Sequence, residues 1–171
     1  MKNKNKILYF IIALLIIVIV FLSYYLFQNK SVDKQINEVS QIEESLGMII
    51  ATPSNTSNIT SMNIIDNNIS EIIYNHNNID MIFRATLASN VDLSRMSYEW
   101  DPQFILMNVK CDDESEIEVI SWTSIDNRAI IKSEWTDNGY HYAMTSINAT
   151  ATETFLKEVD RMARENHNKT K

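Results

Sequence analysis

The chain has 171 residues and a formal net charge of −7, with 22 acidic against 15 basic side chains, one cysteine, two glycines and two prolines. An acidic balance repels phosphate backbones and argues against nucleic acid as a partner, and a single cysteine excludes an intramolecular disulfide. With glycine only at Gly47 and Gly139, no phosphate loop, dinucleotide fingerprint or glycine-flanked nucleophilic serine can be built.

The run from Ile7 to Phe27 carries no charge, and a helix of that length reaches about 30 Å, the hydrocarbon thickness of a bilayer. It is longer than the apolar core of a cleaved signal peptide and ends in Tyr24-Tyr25-Leu26-Phe27 rather than in small residues. That predicts an uncleaved transmembrane anchor. Lys2, Lys4 and Lys6 precede it without an acid among them, which places the N-terminus in the cytoplasm and the C-terminal part outside, in a single-pass cell-membrane protein. All 22 acids and only 12 of the 15 basic residues follow the anchor. The Asn- and Ile-rich usage suggests an AT-rich genome, as in a low-GC Gram-positive bacterium.

Val32, Ile36, Val39, Ile42 and Leu46 recur at spacings of four and three, one apolar stripe of a juxtamembrane helix at 28–46 with Gly47 as its stop. Ser40 and Glu43 have the spacing of a capping box. The polar stretch from Thr52 to Ser61 reads as a loop. Strands follow at Met62 to Ile65, Ile69 to Tyr74 and Ile79 to Thr86, divided by Asn- and Asp-rich turns. In the last of these Ile79, Met81, Phe83 and Ala85 alternate with Asp80, Ile82, Arg84 and Thr86, the pattern of a strand buried on one face. Leu87 to Pro102 has no period and reads as a long connection. Four more strands are expected at Phe104 to Lys110, Glu116 to Thr123, Ala129 to Trp135 and Tyr140 to Ile147, with a tight turn at Asp137-Asn138-Gly139. Trp122, Trp135, Tyr140 and Tyr142 are expected to supply core area. Phe155, Leu156, Val159, Met162 and Ala163 mark one face of a closing helix that starts near Thr152.

The architecture expected is α+β: an N-terminal transmembrane helix, then an antiparallel sheet of six or seven strands with a packed N-terminal and a packed C-terminal helix. The chain divides into a cytoplasmic tail at 1–6, an anchor at 7–27, the juxtamembrane helix at 28–46, an extracytoplasmic α+β domain at 47–164 and a disordered tail at 165–171.

Chemistry-bearing residues are sparse. His76, His141 and His167 lie far apart, none at a zinc-ligand spacing, with His76 in a turn and His167 in the tail. The acidic stretch Asp112, Asp113, Glu114, Glu116 and Glu118 invites calcium but lacks the spacing and central glycine of a helix-loop-helix site, and a solvated turn accounts for it. Glu99 and Asp101 flank Trp100 without a spacing that fixes them on one substrate. No catalytic residue, metal site or cofactor is therefore assigned, and the chain is read as a non-enzyme. The connection carries the partner-binding candidates: Trp100 and Tyr98 for apolar area, Arg95 for an anionic group on a protein partner. Trp100 has a second reading, as a side chain folded back to cap the core.

The order of several motifs resembles the extracytoplasmic module known as the domain of unknown function 4367 family, which follows a membrane helix in Firmicutes. These are Ser45-Leu46-Gly47-Met48, Ile69-Ser70-Glu71-Ile72-Ile73-Tyr74, Ile82-Phe83-Arg84-Ala85, Asp92-Leu93-Ser94, and Glu134-Trp135 through Gly139-Tyr140-His141-Tyr142. The resemblance runs from about Leu46 to Met162 and includes the closing helix. Arg95 departs from it, standing where a glycine is expected after Asp92-Leu93-Ser94. The family has no established activity, so the resemblance implies a fold and an exported location but no site residue. The function expected is a sensor, regulatory or protein-binding module at the cell surface; the alternatives are a small envelope hydrolase or a structural subunit of an envelope complex.

Overall fold

Asparagine tolerates a left-handed backbone better than other side-chain-bearing residues, and this chain uses it to turn corners. In the computed structural model, which describes residues 15–19, 33–89, 91–148 and 152–171, Asp66 and Asn67, Asn77 and Asn78, and Asn138 and Gly139 all have positive φ. Two successive left-handed residues match the twist of the strands they join. Strands β2 (Asn58–Ile65), β3 (Ile69–His76) and β4 (Ile79–Thr86) are thereby linked into one meander. A second comprises β5 (Trp100–Lys110), β6 (Glu116–Ser124), β7 (Ile131–Asp137) and β8 (Tyr140–Ser146).

With the short strand β1 (Lys34–Ile36) added outside β2, these make one eight-stranded sheet in the order β1-β2-β3-β4-β8-β7-β6-β5, every pair antiparallel. The meanders meet where Phe83 pairs with Met144 and Arg84 with Ala143. Because β8 takes the place beside β4, the chain leaving β4 must reach the far edge before β5 can begin. That crossing spans four strand spacings, about 19 Å, which is why the connection is long.

Helices α1 (Ser40–Leu46) and α2 (Thr152–Thr170) bury apolar faces on one side of the sheet. Phe155, Val159, Met162 and Ala163 of α2 and Ile42 of α1 join a single core with Ile72, Tyr74, Met81, Phe83, Val119, Trp135, Tyr142 and Met144. Phe83, Trp135 and Tyr142 stack across β4, β7 and β8, with centroids 5.2–6.2 Å apart. The strand alternation read from residues 79–86 puts Ile79, Met81, Phe83 and Ala85 on this side, as expected.

Several expectations need correction. The sheet has eight strands, not six or seven. The stripe at 28–46 is not one helix: Lys34–Ile36 is a strand, and the helix is seven residues long with Val39 at its N-cap and no side-chain cap from Ser40. Ile36 reaches the core by pairing opposite Met62 at the sheet edge, and that pairing overrides helical spacing. Gly47 does end the helix, left-handed at φ 66. β2 begins at Asn58 and β5 at Trp100, inside segments read as loops; Pro102 is tolerated because β5 is an edge strand. β4 is buried on both faces apart from Asp80, since the connection folds over its other side. Trp122 lies half-buried on that other side, not in the core. Residues 165–171 do not fray, because α2 continues to Thr170 with Asn166 and His167 buried.

Of the proposed anchor only Leu15–Ile19 is described, and it is helical; the rest of 7–27 and the tail 1–6 lie outside the described residues. Among the described residues no helix is long and apolar enough to cross a membrane. The chain divides into two units, 1–32 and 33–171, and the sheet and both helices belong to the second.

The end of α2 is anchored by polar bonds. The Asn166 side-chain oxygen Oδ1 accepts the Ala51 backbone N–H at 2.8 Å, and Nδ2 donates to the Met162 carbonyl at 2.7 Å. Asn166→Ala leaves the buried Ala51 N–H without an acceptor and should cost about 1–3 kcal/mol in denaturant unfolding of the purified protein. A frayed tail would give no change.

Candidate functional site

The site begins with a buried charge. Arg84 projects from the middle of β4 on the side away from the helices, its neighbours Ala85 and Phe83 pointing into the core. Its Nε and Nη2 donate to Glu71 Oε2 at 2.8 and 2.7 Å, and Asn63 Nδ2 donates to the other carboxylate oxygen at 3.0 Å. Both charged side chains are about nine-tenths buried. The remaining reach of the guanidinium goes to the connection: Nη1 donates to the Leu93 and Ser94 carbonyls at 2.8 and 2.6 Å. Leu93 seats its side chain on Ile65, Ile69 and Ala143, a small second apolar cluster. Arginine is suited to this because its rigid fork serves a carboxylate and two carbonyls at once.

Asp92 tightens the bend by accepting the Ser94 hydroxyl at 2.7 Å and the Ser94 N–H at 2.9 Å. Those bonds, the hydroxyl first, hold the Asp92 carboxyl below its usual range, assisted by Lys132. A carboxyl whose folded pKa is depressed contributes stability above the ordinary carboxylate range near pH 4 and loses it as pH falls through the folded value. Asp92 is thus a fixed carboxylate at neutral pH.

The connection is in this way strapped over β3, β4 and β8, and beyond it the same side of the sheet stays open. There a cleft of about 740 Å³ runs between the strap and β6–β7. Met96, Tyr98 and Trp100 come from the strap side and the start of β5, and Ile120, Trp122, Lys132, Glu134 and His141 from the sheet. The Lys132 ammonium sits 4.9 Å from the Trp100 ring and 4.7 Å from the Trp122 ring, and 2.9 Å from Glu134. Tyr98 meets Trp100 edge to face at 6.1 Å. Lys132 thus links the two indoles through cation–π attraction. Asp92, Glu116, Glu118 and Glu134 make the lining acidic.

Two of the three candidates from the sequence, Tyr98 and Trp100, meet at this cleft. Trp100 is half-buried against Lys132, so it neither caps the helix-side core nor stands free. Arg95 lies elsewhere: it pairs with Asp66 at 3.6 Å with both groups largely exposed, and its backbone is left-handed at φ 45. Trp122, Lys132 and Asp92 escaped notice as cleft residues. Only strand register puts Trp122 opposite Lys132 on the open side, and no local spacing encodes that. His141 does face opposite to Tyr140 and Tyr142, as read from their alternation. Asp101 is engaged by Arg128 at 2.6 Å, and the residues lining the cleft include neither Glu99 nor Asp101.

Among the described residues, those able to hold a metal lie apart from the strap: Cys111, Asp113 and His167 converge where the β5–β6 turn meets the end of α2. Burial pushes the Cys111 thiol pKa up, with the Asp113 and Asp137 charges adding to it.

Removing Arg84 strands the buried Glu71 carboxylate. Arg84→Met should therefore cost about 3–5 kcal/mol in chemical denaturation, and Arg84→Met with Glu71→Met should recover most of that loss because no charge remains unpaired. A double variant as unstable as the single would contradict this. Comparison with protein-family models, with curated proteins and with solved structures finds no match to this chain, which leaves the chemistry of the cleft as the ground for assigning it a role.

Proposed function

We propose that this chain is a single-pass membrane protein whose extracytoplasmic α+β domain is a non-catalytic binding module, taking an extended, basic and apolar segment of a partner protein along the cleft and the free edge of β5. The observation that carries this is an exposed apolar strip. Phe104 and Leu106, 57% and 51% exposed, continue the open side of the sheet beyond Trp122 and Ile120, their pairing partners. Exposed apolar area next to an aromatic cleft, rimmed by acids, is what a docking surface for a cationic segment requires. β5 is eleven residues long and stands at the end of the sheet, so its outer backbone groups are available to an added strand.

A hydrolase reading would need a nucleophile paired with a base in the cleft. Ser94 donates its hydroxyl to Asp92, and among the described residues no hydrogen bond joins it to His141. The uncharged run at 7–27 and the lysines before it support the anchor and its orientation. Kinship with the domain of unknown function 4367 family is part of the same proposal. The left-handed backbone of Arg95, at the position where a glycine is expected, supports it.

A photo-crosslinking amino acid placed at Phe104 or Tyr98 in intact membranes should yield a discrete adduct, whereas the same probe at Lys157, on the exposed side of α2, should not. Trp100→Ala should reduce the Phe104 adduct several-fold without changing the amount of folded protein. Equal labelling at Lys157, or no adduct at either cleft position, would overturn the docking surface. Protease added to intact protoplasts should digest the domain and spare residues 1–6. A protected domain would reverse the topology.

A further inference from the structure

Where β5 ends, three side chains of different chemistry from two segments lie close together. Cys111 follows the last residue of β5, Asp113 lies in the β5–β6 turn, and His167 is in the last turn of α2. One ligand atom from each lies within 4.8 Å of the others. Cys111 and His167 are buried, whereas Asp113 opens to solvent. His167 Nε2 stands 3.3 Å from Asp113 Oδ2 and 3.1 Å from Ser115 Oγ. Its other nitrogen, Nδ1, is 2.9 Å from Asp137 Oδ2, at the end of β7.

We propose that Cys111, Asp113 and His167 form a binding site for a zinc-class divalent cation, which staples the end of α2 to the β5–β6 turn. Four observations lead there. Asp137 Oδ2 is placed to accept a hydrogen bond from Nδ1–H, the tautomer in which the Nε2 lone pair faces Asp113 and Cys111; a carboxylate on the far nitrogen is the usual orienting partner of a metal-bound histidine. The Ser115 hydroxyl donates to the other Asp113 oxygen at 2.5 Å, so it brings no proton to Nε2. Thiolate, imidazole and a single carboxylate are together a zinc-class set, whereas calcium and magnesium take oxygen ligands. Bonds of about 2.0–2.3 Å place tetrahedral ligands roughly 3.5 Å apart, so the three atoms need to close by only about 1 Å. The Lys171 ammonium rests on the Asp113 carboxylate; it is half-exposed on a flexible stem and is readily displaced.

The Cys111 thiol gives its proton to solvent as the metal–sulfur bond forms, and water or Ser115 completes the fourth position. A nucleophilic role for Cys111 fits less well. Among the described residues no hydrogen bond joins its sulfur to His167, and Cys111 as a residue is 7% exposed. Asp137 is a positioning residue. Calcium bound by the neighbouring acids Asp112, Glu114 and Glu116 would be a different site, without sulfur.

Cobalt(II) added to the purified, metal-free full-length protein should bind at one equivalent, with a thiolate-to-metal charge-transfer band. Zinc should displace it, and excess calcium should not. Zinc should raise the melting temperature. Asp113→Asn removes an anionic ligand, so it should weaken zinc at least tenfold and shrink the rise in melting temperature that zinc gives, each measured against the variant's own metal-free state. Cys111→Ala should abolish the band, and Asp137→Asn should weaken zinc about 10–100-fold with every ligand retained. No charge-transfer band in the unaltered protein, displacement by calcium, or undiminished zinc affinity in Asp113→Asn would overturn the site. The last two would assign binding to the surface acids, and the first would leave the cluster as a hydrogen-bonded contact of His167 with Asp113 and Asp137.

Discussion

A guanidinium buried in the middle of a sheet is a costly choice, since taking a charge out of water costs several kcal/mol unless acceptors replace the lost hydration. Arg84 meets that cost with Glu71 on the adjacent strand and with the carbonyls of Leu93 and Ser94. The first partner is fixed by register, Glu71 lying directly opposite Arg84. The second couples the sheet to a connection that would otherwise be free to wander across it. The open cleft exists because this interaction sets where the strap lies. Two apolar residues would pack here at lower cost but would not hold two carbonyls at a defined height.

The helix side repeats the device. Glu158, on the buried face of α2, accepts from Arg161 at 2.7 and 2.8 Å and from the Tyr74 hydroxyl at 3.3 Å. Burial first, and then the Glu158 charge, push the Tyr74 hydroxyl pKa well above its usual value. Asn166 and His167 extend the polar series to the end of the helix. A helix with only Phe155, Val159 and Met162 inward could slide by a turn along an aliphatic sheet face. The buried polar groups penalise every register but one, and so they fix which residues meet at the β5–β6 turn.

What could be read from the sequence follows the same division. Period-two alternation at 79–86 and the Asn-rich turns gave the β4 face and three hairpins, because both signals are local. The closing helix was legible from Phe155, Leu156, Val159 and Met162, but its end was not, since the polar residues after Arg164 look solvated until Ala51 and Asp137 are seen to bind them. The stripe from Val32 to Leu46 misled because Ile36 and Ile42 satisfy a helical spacing while entering the core from a strand and from a short helix. Tyr98 and Trp100 stood out as aromatics in an aperiodic segment. Trp122 and Lys132 did not, since their meeting depends on pairing across β6 and β7, and His167 meets Cys111 only through the complete fold.

The central claim is that Arg84 fixes the strap as one wall of the cleft. Spin labels at Met96 on the strap and Thr136 on β7, in a Cys111→Ala background, measure that wall directly by pulsed dipolar spectroscopy. A single narrow distance distribution is expected, broadening toward longer distances when Arg84→Met is added. A distribution already broad with Arg84 in place, or one still narrow after its removal, would contradict the account.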